Sequence, residues 1–370
     1  MRFMTHPPFT ALIDSLPSTV PFVGPEALTR RTGHAIAARI GANENVFGPS
    51  PRAIAAMQAA AGEVWQYGDP ENHDLKQALA SHLCVAPENI TIGEGIDGLF
   101  GYAVRLFLNP GDAVATSLGA YPTFNYHVAG FGGRLATTPY VNDREDPESL
   151  LALARREDAR IIYFANPDNP MATCWPAAEV QRLIDATPES TMLMLDEAYG
   201  EFAPPGTMPP LDATRPNVLR FRTFSKAYGM AGLRVGYCIG HRDVIGAFDR
   251  IRNHFGMTRL AQVAALAALA DQDWLAQVQR KVGLARVQIY TIASANGLAA
   301  LPSAANFVAV DCGRDGTFAR AVVDGLLEHG VFIRMPGVAP LNRCVRISVG
   351  TEAQLNRLAT ALPEVLQRLA

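Results

Sequence analysis

The stretch Val218-Leu-Arg-Phe-Arg-Thr-Phe-Ser-Lys-Ala-Tyr-Gly-Met-Ala-Gly-Leu-Arg-Val-Gly-Tyr-Cys-Ile239 holds two apolar runs joined by a polar, glycine-rich loop. The runs Val218–Phe221 and Val235–Ile239 read as strands, because β-branched and aromatic residues fit a pleated, buried surface. The loop carries Lys226, followed by Gly229, Ala231, Gly232 and Gly236, small residues that let backbone approach a bulky group closely. Thr223, Ser225 and Arg234 add hydroxyls and a guanidinium, the groups that hold a phosphate. A lysine that acts as a Schiff-base nucleophile must be partly desolvated, and neighbouring cations lower its pKa. A solvated surface lysine is the competing reading. It suits Lys76 in a polar helix and Lys281 beside Arg280, the only other lysines among 32 basic residues.

Working outward, further apolar runs occur at Ile90–Gly93, Ala113–Ser117, Ile161–Ala165 and Met192–Leu195. Between about residues 50 and 250 they alternate with helix-like stretches, which predicts an α/β fold with a mainly parallel sheet covered on both faces. Their near-continuous apolar character fits strands buried on both sides. Ligands in such sheets sit outside the carboxyl ends of the strands. After residue 255 the texture changes. Leu260–Ala270 and Asp271–Ile292 read as helices, and Asn306–Asp311 and Cys344–Val349 as strands around a helix near Thr317–His329. The expected organisation is an N-terminal arm with part of a small domain (1–45), a large domain (46–255) and a small α+β C-terminal domain (256–370).

The 370 residues are 49% hydrophobic and 18% charged, with a formal net charge of −3. That length buries a full core without disulfide or metal staples, and no metal centre is expected. The near-neutral balance and the lack of a basic block argue against a nucleic-acid surface. The charged fraction falls below the roughly 25% usual for a soluble domain, which suggests surface hidden in an oligomer. No uncharged stretch makes an apolar helix of membrane-spanning length, and Met1–Pro8 lacks the apolar core of a secretory signal. Five scattered cysteines, never in a C-x-x-C pair, fit reduced thiols in a cytoplasm.

Three more segments carry chemistry. In Leu193-Met-Leu-Asp-Glu-Ala-Tyr199, Asp196 closes an apolar strand, where a buried carboxylate is costly unless a cation meets it. A protonated pyridine nitrogen is such a cation; a helix cap or loop residue is the plainer alternative. Asn166-Pro-Asp-Asn-Pro170 follows the strand Ile161–Ala165 and can present a fixed side-chain amide to a ligand, or be a simple turn. Gly93-Glu-Gly-Ile-Asp-Gly98 joins a strand to a helix whose first amides can bind an anion, although the same pattern also makes an ordinary tight turn.

Together these segments resemble the fold type I pyridoxal phosphate enzymes, within the class I/II aminotransferases, and most of all the histidinol-phosphate aminotransferase branch. The resemblance also rests on Gly41-Ala-Asn-Glu-Asn45, Tyr67-Gly-Asp69, Asn306-Phe-Val308 and Val345-Arg-Ile-Ser-Val-Gly-Thr351, which occur in the family's order over nearly the whole chain. It implies a cofactor, pyridoxal 5′-phosphate, joined to Lys226, which then shuttles a proton at the substrate Cα. It implies that Asp196 pairs with the ring nitrogen and that Tyr199 and Asn169 contact the phenolic oxygen. Phe124, where the family usually has tyrosine, is expected to stack on the ring. The backbone of Ile96 and Asp97, with Ser225, Arg234 and Thr223, is expected to hold the phosphate, and Tyr67 to reach it from a neighbouring subunit. Arg346 is expected to clamp the substrate α-carboxylate, and Arg334 to meet a distal phosphate, with a domain-interface ion pair as the competing reading for Arg334.

The implied activity is ping-pong transfer of an amino group between an L-amino acid, such as histidinol phosphate or a related substrate, and a 2-oxo acid. The implied protein is a cytoplasmic homodimer with shared sites. Met171-Ala172 and Gly98 depart from the family pattern near the substrate carboxylate and the phosphate turn. Decarboxylation of a phosphorylated amino acid would use the same lysine, aspartate and arginine. A cofactor-binding regulatory module would need a DNA-binding segment, and the Pro-rich arm offers none.

Overall fold

The computed structural model describes residues 7–17 and 23–370. The stretch read above as lacking a secretory signal falls largely on residues 1–6, outside the described ones.

Twelve strands form three sheets among the described residues. They are β1 (Ala38–Arg39), β2 (Ile90–Gly93), β3 (Ala113–Ser117), β4 (Arg134–Thr138), β5 (Ile161–Ala165), β6 (Met192–Asp196), β7 (Val218–Thr223), β8 (Gly236–Ile239), β9 (Ala299–Ala300), β10 (Phe307–Asp311), β11 (Val331–Phe332) and β12 (Cys344–Ser348). The central sheet has the order β2-β8-β7-β6-β5-β3-β4. Its β4-β3-β5-β6-β7 portion is parallel, and β8 runs antiparallel to both its neighbours. The α/β expectation of a mainly parallel sheet therefore holds. The strand runs read from the sequence match to within a residue or two, but β4 in this sheet and the two-residue strands β1, β9 and β11 went unread. Strand β4 lies at the sheet edge, and only Ala136 among its five residues is buried, so it lacks the apolar run that marked the others.

Alternation along the central strands sorts the core onto two faces. Ile162, Phe164, Leu193 and Leu195 pack with the Pro147–Glu157 and Ala177–Ala186 helices. Ile161, Tyr163, Met192 and Met194 face the larger core that includes the Gly95–Phe107 helix. Asp196 continues the second series, and Glu197 turns to the first.

The C-terminal part pairs β12-β10-β9 antiparallel, backed by the Gly316–Glu328 and Glu352–Leu369 helices. The N-terminal stretch, read as irregular, contains short helices at Ala11–Ser15 and Pro25–Thr32. It also contains β1, which pairs in parallel with β11 of the C-terminal part. All five cysteines are free, and among the described residues no helix is long and apolar enough to cross a membrane.

Candidate active site

The site gathers at the carboxyl ends of β5, β6 and β7, which stop close together at Ala165, Asp196 and Thr223. After β7 the chain leaves the sheet, and Lys226 sits in the loop before β8. Small residues bring this loop against the N-terminal segment. Gly229, at φ +69°, lies so close to the Gly48 carbonyl that a Cβ there would come within 2.4 Å of it. Lys226 Nζ donates to the Asn43 carbonyl at 3.2 Å. Burial, with Arg346 nearby, lowers its pKa to about 8, the direction that favours a lysine which gives and takes protons near neutrality.

Asp196 is buried at the end of β6 and accepts hydrogen bonds from the Tyr163 hydroxyl at 2.6 Å and from the Ala198 amide at 2.9 Å. Both partners are neutral. Burial therefore dominates and raises its pKa to about 6. The carboxyl has two donors and lacks a cation in hydrogen-bond contact, which fits a site built to receive one.

The Gly95–Phe107 helix begins beside the lysine loop. No side chain caps it, so its first amides are free to face a ligand. Gly95 has φ +77°, and a Cβ there would lie 2.3 Å from Arg234 Nη2. A Cβ at Gly236 would lie 2.6 Å from the Ile96 amide nitrogen. Both glycines thus clear space where Arg234 and the helix start converge. Arg234 donates to Ser225 Oγ at 3.3 Å and pairs with Asp97 at 3.7 Å. Free amides, a hydroxyl and a guanidinium form the donor set that suits a phosphate dianion.

On the other side, Arg346 extends from β12. It donates to Asn169 Oδ1 at 2.6 Å, lies 5.3 Å from the Phe307 ring centroid, and keeps its buried Nε without a partner. Burial lowers its pKa to about 10. Arg334 pairs with Arg346 through both backbone hydrogen bonds, so the two side chains leave the same face of that ladder. The Arg334 guanidinium donates to the Val23 carbonyl at 3.0 Å.

Two expected residues are committed to contacts within the chain, and a third, Tyr67, lies on the surface. Phe124 is fully buried, stacked on Tyr163 with centroids 4.3 Å apart and edge-on to Phe100, so it packs beneath the site and has no free face for a ligand ring. The aromatic residue at the site is Tyr121, one helical turn earlier, whose hydroxyl donates to Asp97 at 3.0 Å. Which member of Tyr121-Pro-Thr-Phe124 is more exposed is set by how the helix starting at Pro122 packs on the sheet, a phase that no local sequence signal gives. Thr223 is also committed internally. Its hydroxyl donates to the Val235 carbonyl at 3.2 Å and accepts from the Ser225 amide at 3.0 Å, so it braces the loop and has no proton left for a phosphate. Tyr67, expected to act in a neighbouring subunit's site, is 76% exposed, its ring tilted against Phe255 with centroids 4.7 Å apart.

Two residues were missed. Tyr163 looked like an ordinary strand aromatic. Asn43, with φ +55°, donates from Nδ2 to the Tyr199 hydroxyl at 3.0 Å. Its segment, Gly41–Asn45, was noticed only as part of a family pattern.

Residues 37–362 match the family described as aminotransferase class I and II. The chain is 33% identical over 366 residues to histidinol-phosphate aminotransferase from Moorella thermoacetica, covering 98% of this chain and 94% of that protein. It is 36% identical over 346 residues to histidinol-phosphate aminotransferase 1 from Nitrosococcus oceani, covering 92% of each. Among solved structures, histidinol-phosphate aminotransferase from Sinorhizobium meliloti in complex with pyridoxal-5′-phosphate is 60% identical, with a TM-score of 0.95 and 98% of each chain covered.

Proposed function

Because the chain belongs to the aminotransferase class I and II family and is a fold type I, pyridoxal phosphate-dependent aminotransferase, we propose that its amine substrate carries a phosphate, as in histidinol phosphate. The observation that carries this reading is the pairing of Arg334 with Arg346 of β12 across an isolated antiparallel bridge. Two guanidinia on one face suit a phosphate, whose three terminal oxygens and double negative charge can take hydrogen bonds from both, more than a lone carboxylate. The names of the relatives point the same way.

The residues present fit pyridoxal 5′-phosphate. The uncapped helix start, the space left by Gly95 and Gly236, and Ser225 with Arg234 suit its phosphate. Asp196, without a cation in contact, suits its ring nitrogen. Tyr199 and Asn169 would meet the phenolic oxygen, and Tyr121 takes over the stacking role first read onto Phe124. When bound, this cofactor supplies an electron-withdrawing ring that makes the hydrogen on the substrate's amino-bearing carbon acidic.

The rest of the chemistry falls to the chain. Lys226 takes that proton at Nζ and returns one, and its depressed pKa keeps an unprotonated fraction available near neutral pH. Arg346 holds the substrate by two parallel hydrogen bonds, a geometry lysine could not copy. Burial of Asp196, Tyr199 and Asn43 excludes water around them. The amino group is transferred in two half-reactions, with a 2-oxo acid as acceptor. We further assign residues 46–255 to a large cofactor-binding domain and 256–370 to a small one that delivers Arg334 and Arg346. A second copy of the chain would cover the exposed Val64, Trp65, Tyr67 and Phe255, making a homodimer in which Tyr67 reaches the partner's phosphate site. A cytoplasmic location accords with the free cysteines.

The test follows the visible band of the bound cofactor as each candidate amine is added. Histidinol phosphate should convert it far faster than histidinol. Arg334→Ala should raise KM for the phosphorylated amine by ten-fold or more, roughly the loss of one charge-assisted contact, with little change for the unphosphorylated one. Equal effects on both would reject a phosphorylated substrate.

A further inference from the structure

Four polar groups, two of them (Ser348 and Asn306) outside the expected set, surround Asn43 and leave its side chain one orientation. The backbone N–H of Asn43 donates to Ser348 Oγ at 2.9 Å. The Ser348 hydroxyl has one proton, and it lies 3.0 Å from Asn43 Oδ1, to which it donates. The amide oxygen therefore faces Ser348, and the amide nitrogen faces Tyr199, whose oxygen is the acceptor at 3.0 Å. A flipped amide would put N–H against a serine oxygen that already accepts one, and would leave the serine proton with no acceptor there. The Asn43 carbonyl is fixed as well, accepting from Asn306 Nδ2 at 3.1 Å and Lys226 Nζ at 3.2 Å. Asn43, Tyr199, Asn306 and Ser348 are all at most 3% exposed, so water has no ready place in the network. The φ of +55° at Asn43 is a conformation that asparagine tolerates better than most residues.

We infer that Asn43, held by Ser348, turns the Tyr199 phenol into a committed donor toward the cofactor's ring oxygen. A tyrosine oxygen that already accepts from an amide must point its single proton elsewhere. Asn43 is thus a positioning residue that acts through Tyr199. Ser348 lies two residues beyond Arg346 on the same strand, so the strand that carries the carboxylate clamp also sets the direction of the phenol. The inference rests on the reading of Tyr199 as the partner of the ring oxygen.

The pH midpoint of the bound cofactor's visible band, in the absence of substrate, is the readout. A donor to the ring oxygen stabilises its negative charge, and loss of that donor makes the adjacent proton harder to remove, so the midpoint rises. Tyr199→Phe alone should raise it by about one pH unit, the size of one hydrogen bond to a charged group. If it does not, the reading of Tyr199 itself fails. Asn43→Asp keeps the backbone conformation but can only accept, so it should draw the phenol proton to itself and raise the midpoint by a similar amount. Ser348→Ala adds no charge, frees the amide to turn over, and should give about half that rise.

Each change is then repeated in the Tyr199→Phe background, which separates action through the phenol from a direct effect of charge on Lys226. The Ser348→Ala shift should vanish there, and the Asn43→Asp shift should shrink to what its added charge alone produces. Shifts of undiminished size in the Tyr199→Phe background would overturn the proposal. So would unmoved midpoints in both single variants when Tyr199→Phe does move.

Discussion

Asp196 and Glu197 are consecutive, both buried, and opposite in almost every other respect. Alternation turns Asp196 toward Tyr163 and the lysine loop, and Glu197 toward β7 on the other face of the sheet. Glu197 accepts from Arg220 Nε and from Arg222 Nε, each at 2.8 Å, and Arg220 is anchored in turn by the Pro209 and Pro210 carbonyls. Burial alone would raise its pKa, but the two guanidinia hold it below the ordinary carboxylate value. Asp196 meets only a phenol and an amide, and burial wins. A carboxylate surrounded by cations from its own chain is finished structure. One left with neutral donors is half of a pair whose other half arrives with the cofactor.

The largest test of that contrast is on activity. Asp196→Asn should lower kcat/KM by about 10²–10³-fold, the scale of removing one preorganised electrostatic contact, while the cofactor-free protein is no less stable at neutral pH, being relieved of a buried charge. The two residues should also bend stability in opposite directions with pH. Asp196 has a higher pKa folded than unfolded, so cofactor-free stability should fall as pH rises from about 4 to about 6, and Asp196→Asn should flatten that fall. Glu197 is held low, so its stabilisation is present at neutral pH and is lost as acid protonates it. Urea titrations of the cofactor-free protein from about pH 3 to about pH 8, which take in the acid limb below the ordinary glutamate value as well as the range around Asp196, would register both slopes. Identical slopes in wild type and Asp196→Asn would break the contrast.

Glu197→Gln comes next, and its effect is on folding. It leaves two guanidinia in a buried pocket without their counterion, which costs about 3–5 kcal/mol, while the folded fraction should keep kcat/KM within a few-fold of wild type. Comparable losses of activity for Asp196→Asn and Glu197→Gln would mean that both carboxylates serve the reaction. The smallest effect is that of Tyr163→Phe. Removing one donor from Asp196 should push its pKa further up, lower kcat/KM about ten-fold and destabilise the cofactor-free protein by about 1 kcal/mol. Steady-state kinetics beside a thermal melt would separate the two.

The same contrast explains what the sequence disclosed. Asp196 was legible because a carboxylate that ends an apolar strand stands out, and Lys226 because glycines crowd it. Both signals are local. The role of Glu197 was not legible, since its partners lie more than twenty residues on and declare themselves only when β6 and β7 pair. Tyr121 and Phe124 differ by one helical turn, and only packing on Phe100 and Tyr163 decides which of them faces the site. Thr223 has the right hydroxyl in the right place, yet the loop uses it for itself. Strand β4 escaped because an edge strand needs no continuous apolar run. Asn43 escaped because its partners, Tyr199, Lys226 and Ser348, are spread over most of the chain.

The pairing of β1 with β11 joins opposite ends of the chain. During synthesis β1 leaves the ribosome first, and its partner follows only after most of the chain has been made. Until then the Gly41–Asn45 segment has no strand to hold it against the lysine loop. A nascent chain can build the central sheet and place Asp196 and Lys226 while the lysine pocket still lacks this wall. The site is completed only when the last strands dock, so no unfinished copy of the chain can present a closed pocket to the cofactor.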